Sequence, residues 1–257
     1  MTVIRIEGDA PVVEVVLDRP DRKNAVTLDM WREIPRVIAK LGSQADIRAI
    51  ILRGAGGNFC AGADITEFGQ VRDTPEQVHD YDEAVDHCCD AIAAAPKPVI
   101  AAIDGFCVGG GCGLALACDF RIAAPGATIF IPASRLGIVY GLRETQNLLA
   151  LVGLANAKRM LFAAERLDAR TAYSYGFLDE VAAEPLEAAR DFAGVMATRA
   201  PLSIAGTKAL LTGLERGAWA QDEAGALALI EAASQSQDYK EARAAFGEKR
   251  EPVFKGR

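Results

Sequence analysis

Short apolar stretches alternate with longer amphipathic stretches along the first 200 residues of the chain. The apolar runs predict strands at residues 3–6, 12–17, 49–52, 98–103 and 120–123. The amphipathic stretches predict helices at residues 28–41, 75–94, 144–151 and 156–162. The first two strands are expected to pair across Gly8–Pro11, and the later strands to run parallel, since helices separate them. This order predicts an α/β architecture.

Local signals set several of these boundaries. Thr27 is expected to cap the first helix, with Asp29 in its first turn. Pro96 and Pro98 end the helix that begins near residue 75. These signals place a loop after each predicted strand.

The pattern changes after Ala200, where no strand signal remains. Alanine- and leucine-rich segments predict helices at residues 201–214, 221–233 and 239–246. We therefore divide the chain into an α/β core over residues 1–199 and a helical region over residues 200–257. Such helical regions commonly cover an apolar face on the same or a neighbouring subunit, so we expect a homo-oligomer.

The composition narrows the function classes. The chain has 257 residues, of which 51% are hydrophobic and 25% charged, as in ordinary globular proteins. A net charge of −7 argues against nucleic acid as a partner. The sequence shows no N-terminal signal pattern and no apolar run long enough to span a membrane. We expect a cytoplasmic protein without a membrane partner.

Cysteine and histidine offer little for metal or nucleophilic chemistry. The six cysteines form no C-x-x-C pair, and the chain has only two histidines. We therefore expect reduced core thiols, no metal site and no catalytic cysteine.

One glycine-rich segment carries chemistry of its own. The apolar run that begins at Pro98 is followed by a turn, then by Gly109-Gly110-Gly111, and then by the helix-forming residues 114–118. Glycines at a helix N-terminus leave backbone N–H groups open to a ligand, and the helix dipole stabilises a developing anion there. Tight packing of strand against helix is the alternative explanation. The spacing matches neither the dinucleotide-binding G-x-G-x-x-G motif nor a P-loop.

A second loop, Phe59-Cys60-Ala61-Gly62-Ala63-Asp64-Ile65, also follows a predicted strand. The two loops together resemble the crotonase superfamily, the enoyl-CoA hydratase/isomerase family. Further matches, in family order, are Arg19-Pro20, Asn24-Ala25, Thr145-Gln146, Asp168-Ala169, residues 175–181 and residues 248–254. The resemblance covers essentially the whole chain.

The resemblance implies a spiral of ββα repeats with a helical C-terminal trimerisation region, and a homotrimer or hexamer. It also implies an acyl-CoA thioester as substrate and no separate cofactor. The thioester oxygen would lie between the N–H groups of Ala63 and Gly110. The other residues expected to bind substrate are Arg22, Ala25, Ala61, Asp64, Ile65, Phe106, Gly109, Ala133, Arg143, Lys249 and Phe254, the last two from a neighbouring subunit in one arrangement. For Arg22 a solvated loop charge is the alternative, and for Asp64 a capping role is favoured over catalysis.

The chain departs from typical hydratases at two positions. Those enzymes place two glutamates over the double bond to position water and to move protons. The corresponding positions here are Gly113 and Ala133, and neither can transfer a proton. Ordinary hydration by that mechanism is therefore not expected, and neither is simple isomerisation, since isomerases of the family usually need at least one of these acids.

Residues 134–144 occupy this part of the chain, and Tyr140 stands where hydratases commonly have proline. The stretch resembles the methylmalonyl-CoA decarboxylase branch, although Ala63 and Gly113 differ from that branch. Decarboxylation is our first hypothesis, since it needs little more than an enolate trap. An atypical hydratase or isomerase using Glu144 or Tyr140, a thioester or C–C hydrolase, and a non-catalytic CoA-binding protein remain open.

Three side chains in this stretch decide between these hypotheses. Tyr140 either faces the substrate or packs with its hydroxyl bonded to backbone. Arg143 and Glu144 either pair on the helix surface, or one of them points into the acyl pocket. Glu144 is the nearby carboxylate that could restore proton transfer.

Overall fold

The computed structural model describes residues 3–257. Within them, the strands are β1 (Ile4–Glu7), β2 (Val12–Leu17), β3 (Ala49–Gly54), β4 (Val99–Ile103), β5 (Phe106–Val108), β6 (Phe120–Ala123), β7 (Thr128–Phe130), β8 (Leu167–Asp168) and β9 (Glu180–Val181). The helices are α1 (Leu28–Ser43), α2 (Phe68–Val71), α3 (Pro75–Ala93), α4 (Gly110–Ala117), α5 (Ala133–Leu136), α6 (Leu142–Phe162), α7 (Ala169–Ser174), α8 (Pro185–Ala197), α9 (Pro201–Glu215), α10 (Glu223–Gln235) and α11 (Gln237–Glu248).

Six strands form the main sheet in the order β1-β2-β3-β4-β6-β9, and β5, β7 and β8 form a smaller sheet. In the main sheet β1 is antiparallel to β2, as predicted for the first pair, and every later pairing is parallel. The carboxyl ends of β3 and β4 therefore lie at the same edge. The loop over residues 55–64 and the turn before α4 both begin near that edge.

Helices cover both faces of the main sheet, because its central strands are apolar on both sides. Val13, Ile50 and Val99 lie side by side in β2, β3 and β4 and join the larger core cluster with α1, α3 and α4. Their neighbours Ile51 and Ile100 point to the other face and pack in a second cluster with α8. Such continuous apolar runs are typical of parallel sheets buried on both sides.

The local signals for α1 are confirmed. The Thr27 hydroxyl accepts a hydrogen bond from the N–H of Met30 at 3.3 Å, which caps the helix. Trp31, Ile34 and Ile38 lie on one face of α1 and are buried in the larger cluster. The helix ends at Ser43, two residues beyond the predicted end.

Other elements differ from the prediction. The predicted helices at 144–151 and 156–162 belong to the single element α6, which bends at Gly153, where φ is 70°. The strands β5, β7, β8 and β9 and the helices α2, α5, α7 and α8 were not predicted. The strands have only two or three residues, too few to show an alternating pattern, and the residues of α8 that are buried in the second cluster are alanines.

Beyond Ala200 the described chain is helical, as predicted. Lys208 of α9 fixes this region to the core, since its ammonium group bonds to Asp119 Oδ2 at 2.7 Å and to the carbonyls of Ile92 and Lys97. Exposed leucines on α9 and α10 leave an apolar face, and its role in trimerisation stays a prediction. No helix among residues 3–257 is long and apolar enough to cross a membrane.

Candidate active site

A cavity of about 660 Å³ opens at the carboxyl edge of the main sheet. Its walls come from the loop over residues 61–65, the glycine turn over residues 108–110, one face of α3 and the segment over residues 131–144. The two loops singled out in the sequence therefore meet at one cavity. The glycine turn follows β5 of the smaller sheet and not β4, and a parallel bridge between Cys60 and Cys107 holds β5 against the loop that leads to residues 61–65.

Most of the residues predicted to form the site line this cavity. They are Arg22, Ala25, Ala61, Ala63, Asp64, Ile65, Gly109, Gly110, Ala133, Tyr140 and Glu144. Those that do not are Phe106, Arg143, Lys249 and Phe254.

Each of these four outlying residues has another environment in the chain. The Phe106 ring lies 4.3 Å from Lys23 Nζ, and the Phe254 carbonyl accepts a hydrogen bond from Arg48 at the amino end of β3, away from the cavity. Lys249 ends α11 in a left-handed conformation. Arg143 approaches Asp90, with 3.7 Å between Nε and Oδ2.

Two backbone amides of the cavity are left without acceptors. Ala63 pairs with Val26 in a single parallel bridge that uses the Gly62 carbonyl and the Asp64 N–H, at 2.8 and 2.9 Å, so the N–H of Ala63 is free. Gly110 is the first residue of α4, where a helix has no internal acceptor for the N–H. Neither amide donates a hydrogen bond to any group of residues 3–257.

The same two amides are close neighbours. A Cβ atom on Gly110 would lie 3.4 Å from the nitrogen of Ala63. The turn that brings them together depends on Gly109, whose φ of 52° and ψ of −113° are accessible to glycine and strained for other residues. Two free donors, one of them at a helix N-terminus, can hold an oxygen atom that gains negative charge.

Asp64 has the structural role favoured from the sequence. Its carboxylate accepts hydrogen bonds from the Thr66 N–H and hydroxyl and from Arg19 Nη2, the last at 2.8 Å. Burial alone would raise the pKa of Asp64, but these bonds outweigh it and hold that pKa below its usual value.

Glu144 is the buried acid of the cavity. The pair that we considered between Arg143 and Glu144 is wrong, because Glu144 is only 5% exposed and Arg143 turns to Asp90. A Cβ atom on Gly113 would lie 2.2 Å from Glu144 Oε1, and one on Gly141 would lie 2.4 Å from Oε2. The Glu144 carboxyl group therefore fills the space that a side chain at position 113 would need.

The surroundings of Glu144 suit proton transfer near neutral pH. Burial raises its pKa to about 7, with a smaller rise from Asp86 and an opposing effect of the Tyr140 hydroxyl. Because Asp86 Oδ1 lies 3.9 Å from the same Cβ position on Gly141, Asp86 belongs to this carboxyl environment. A carboxyl group with a pKa near 7 can act as base or acid at cellular pH.

The hydroxyl of Tyr140 bonds to backbone, one of the two alternatives drawn from the sequence. It donates a hydrogen bond to the Gly109 carbonyl at 2.9 Å. The Gly113 N–H donates to the same oxygen at 3.1 Å. Tyr140 therefore fastens the segment before α6 to the glycine turn.

The sequence did not identify the far wall of the cavity. The acidic sequence of residues 81–87 suggests a solvated helix face, and this interpretation is wrong for Tyr81, which is 3% exposed and accepts a hydrogen bond from Trp31 Nε1 at 3.0 Å. Both aromatic side chains line the cavity, with Phe68, Val85, Arg72, Asp82 and Asp86 around them. Apolar residues at positions 81, 85 and 92 are the helical signal that could have identified this face.

The cysteines are free and buried, as expected for core thiols. Burial raises the pKa of Cys60 and of Cys118 to about 12, so neither provides a thiolate at neutral pH. Among residues 3–257, no group of three or more His, Cys, Asp or Glu side chains is placed to hold a metal ion.

Comparison with known proteins places this geometry in a family. The family model described as enoyl-CoA hydratase/isomerase matches residues 7–257. The chain is 32% identical to a short-chain-enoyl-CoA hydratase of Clostridium acetobutylicum, covering 95% of this chain and 94% of that protein. It is 32% identical to an enoyl-CoA isomerase/hydratase of Mycosarcoma maydis, covering 96% and 93%.

Solved structures of enoyl-CoA hydratase/isomerase family proteins also match this chain along its length. A crystal structure of an enoyl-CoA hydratase/isomerase family protein from Hyphomonas neptunium is 38% identical, with a TM-score of 0.95 over 100% of this chain and 98% of that one. An enoyl-CoA hydratase from Bacillus anthracis is 31% identical, with a TM-score of 0.89 over the full length of both. With its crotonase-like α/β fold, the chain belongs to the enoyl-CoA hydratase/isomerase family.

Proposed function

We propose that this chain is an acyl-CoA isomerase that moves a double bond from C3 to C2 of the acyl chain. The N–H groups of Ala63 and Gly110 hold the thioester oxygen. Glu144 removes a proton from C2, the charge passes to that oxygen as an enolate, and the same carboxyl group returns the proton at C4. The double bond then lies in conjugation with the thioester, and the proton count balances.

The observation that carries this proposal is the position of Glu144. Its carboxyl group is buried beside Gly113 and lines the cavity that also contains the two free amides. Isomerisation needs a single acid–base group, because the proton taken from one carbon is the proton delivered to the other. Hydration needs a second group to activate water, and the two family positions for such acids are Gly113 and Ala133.

The oxyanion donors and the general base each lower the activation barrier by an amount that catalysis requires. One backbone donor in an oxyanion hole typically lowers the barrier by about 3 to 4 kcal/mol. A positioned general base contributes roughly 10²- to 10⁴-fold. Because the two donors are backbone atoms of Ala63 and Gly110, the small side chains there matter for access to the N–H groups.

Decarboxylation, our first hypothesis from the sequence, has weaker support. It would have Tyr140 face a substrate carboxylate, whereas this hydroxyl donates to the Gly109 carbonyl. Asp82 is paired with Arg72, but Asp86 and Glu144 line the same cavity with no salt bridge to residues 3–257, and negative charge on either opposes a free carboxylate on the acyl group. Decarboxylation therefore stays a prediction that the same experiment tests.

The experiment offers the purified protein 3-hexenoyl-CoA, crotonyl-CoA and methylmalonyl-CoA in D₂O and follows each by mass spectrometry. We expect 2-hexenoyl-CoA from the first substrate, separated from it by chromatography. Retention of the original proton in D₂O would show that Glu144 itself carries it from C2 to C4. Glu144→Gln should slow this reaction about 10²- to 10⁴-fold. The matched control is Glu33→Gln, since Glu33 is an exposed residue of α1, outside the cavity, and its change should leave the rate unaltered.

The alternatives give different results. Loss of CO₂ from methylmalonyl-CoA without isomerisation would establish the decarboxylase, and hydration of crotonyl-CoA alone would establish the hydratase. Tight acyl-CoA binding with no turnover of any substrate would establish a non-catalytic CoA-binding protein. Each of these results contradicts the proposed isomerase.

A further inference from the structure

We propose that Tyr140 is a positioning residue that orients the peptide group between Gly109 and Gly110, and so aims the N–H of Gly110 at the substrate oxygen. The inference rests on the proposed function, since it assigns that N–H to the thioester. It concerns a side chain at a position where typical hydratases have no hydroxyl group.

The geometry follows from the planarity of the peptide bond. The carbonyl of Gly109 and the N–H of Gly110 belong to one rigid trans unit, so they point in opposite directions. Whatever holds the carbonyl also fixes the direction of the N–H. The carbonyl is held by the Tyr140 hydroxyl at 2.9 Å and by the Gly113 N–H at 3.1 Å, and the N–H of Gly110 has no acceptor in the described chain.

This peptide group needs such a restraint. Gly109 has no side chain to limit its rotation, and its conformation, with φ 52° and ψ −113°, is outside the regions that other residues favour. The helical bond from Gly113 fixes the carbonyl from one side only. The hydroxyl of Tyr140 comes from a different element, the segment before α6, and gives the carbonyl a second, independent contact.

The hydroxyl also strengthens the donor. A carbonyl oxygen that accepts hydrogen bonds polarises its peptide group, and the N–H on the other side becomes a better donor. The chain of contacts runs from the Tyr140 hydroxyl through the Gly109–Gly110 peptide to the thioester oxygen. The Tyr140 hydroxyl thereby acts on the reaction through this peptide group.

The test is Tyr140→Phe, which removes the hydroxyl and keeps the ring. The probe is butyryl-CoA with carbon-13 at the thioester carbonyl, which has no double bond to move or to hydrate. In the wild-type protein we expect the carbonyl resonance to move downfield on binding, because donors polarise the carbonyl. In Tyr140→Phe that displacement should shrink, and kcat for 3-hexenoyl-CoA should fall about five- to tenfold with little change in KM.

Two controls separate this role from others. Tyr175→Phe removes a hydroxyl outside the cavity, one that donates to Glu165 at 3.5 Å and has no contact with Gly109, and it should leave the resonance unchanged. Glu144→Gln should slow turnover about 10²- to 10⁴-fold yet keep the full displacement, and the double variant Glu144→Gln with Tyr140→Phe should show the same smaller displacement as Tyr140→Phe. The NMR result is thus independent of the acid–base group.

The outcomes distinguish the inference from the proposed function. If the wild-type displacement and kcat survive in Tyr140→Phe, or if Tyr175→Phe changes the resonance equally, the positioning role is wrong and the oxyanion hole stands. If the wild-type protein binds butyryl-CoA without moving the resonance, the oxyanion hole itself is wrong, and the inference is overturned with it.

Discussion

A methyl group added at Gly113 should disable the site while leaving its CoA-binding surface intact. The new Cβ atom would lie 2.2 Å from Glu144 Oε1, whereas ordinary contacts begin near 3.4 Å. The oxygen must therefore move by about 1 Å or more. Because a misplacement of this size costs about 10²-fold in rate, we expect Gly113→Ala to lower kcat by roughly that factor with KM little changed.

The effect on stability supplies a second measurement. Gly113 lies within α4, and glycine to alanine inside a helix normally stabilises by about 0.5–1 kcal/mol. The displaced carboxyl group should cancel that gain. Gly194→Ala in α8 is the matched control, since a Cβ atom there meets nothing within 4 Å and should stabilise the fold without changing kcat.

The assay is steady-state isomerisation of 3-hexenoyl-CoA together with thermal unfolding of each variant. Shortening the acid by one methylene, as Glu144→Asp in the Gly113→Ala background, should recover part of kcat because it restores room for the carboxyl group. The reasoning is refuted if Gly113→Ala behaves like Gly194→Ala, more stable than the wild type and fully active.

Four further predictions concern other parts of the structure. Gly110→Pro removes the free N–H at a first helical position, and Gly110→Ala adds a Cβ atom at the same place but keeps the N–H. The kcat of Gly110→Pro should be about 10²- to 10³-fold below that of Gly110→Ala, and equal values would refute the role of this N–H as a donor. The kcat/KM of the wild type should rise with pH through about 7, and Asp86→Asn should move this limb about half a pH unit lower, since a negative charge near Glu144 is lost; an unmoved limb would contradict the contribution of Asp86. Glu14→Gln should lower the free energy of unfolding by about 2 kcal/mol at pH 7, measured by urea titration, because Glu14 is only 3% exposed and its removal leaves Arg53 and Arg190 without the carboxylate partner that they share. Since these arginines hold the pKa of Glu14 below its usual value despite burial, the difference from the wild type should narrow as the pH falls below about 4.5. Lys208→Met should increase hydrogen exchange in α9 with no change in β4, and unchanged exchange would show that the ion pair with Asp119 does not fix this helix.

The sequence predicted the features that depend on neighbouring residues. Thr27 caps α1 because its hydroxyl accepts from the N–H three residues further on. The glycines at the start of α4 have no side chains, so they leave the N–H groups of that turn open to a ligand. Both can be interpreted without knowing the rest of the fold. The free N–H groups of Ala63 and Gly110 follow from two such local motifs, each at the end of a strand.

Contacts between distant residues could not be predicted in this way. Glu144 was identified as the nearby acid, but its fit against Gly113 depends on how α4 and α6 pack. The hydrogen bond between Trp31 and Tyr81 joins two helices 50 residues apart in the chain. Tyr140 was recognised as unusual, yet nothing in its neighbours indicated that Gly109 would be its acceptor.

The bend at Gly153 divides α6 into two shorter rods. The first begins at the acid of the cavity, and the second runs on to Phe162. The second half carries the exposed side chains of Leu154 and Phe162. Apart from neighbouring residues of the helix, no atom lies within 4 Å of a Cβ position on Gly153, so the backbone there is free to rotate if another molecule binds to these side chains. The first half of α6 contains the fully buried Leu148, and its packing in the core keeps Glu144 in the cavity whatever direction the second half takes.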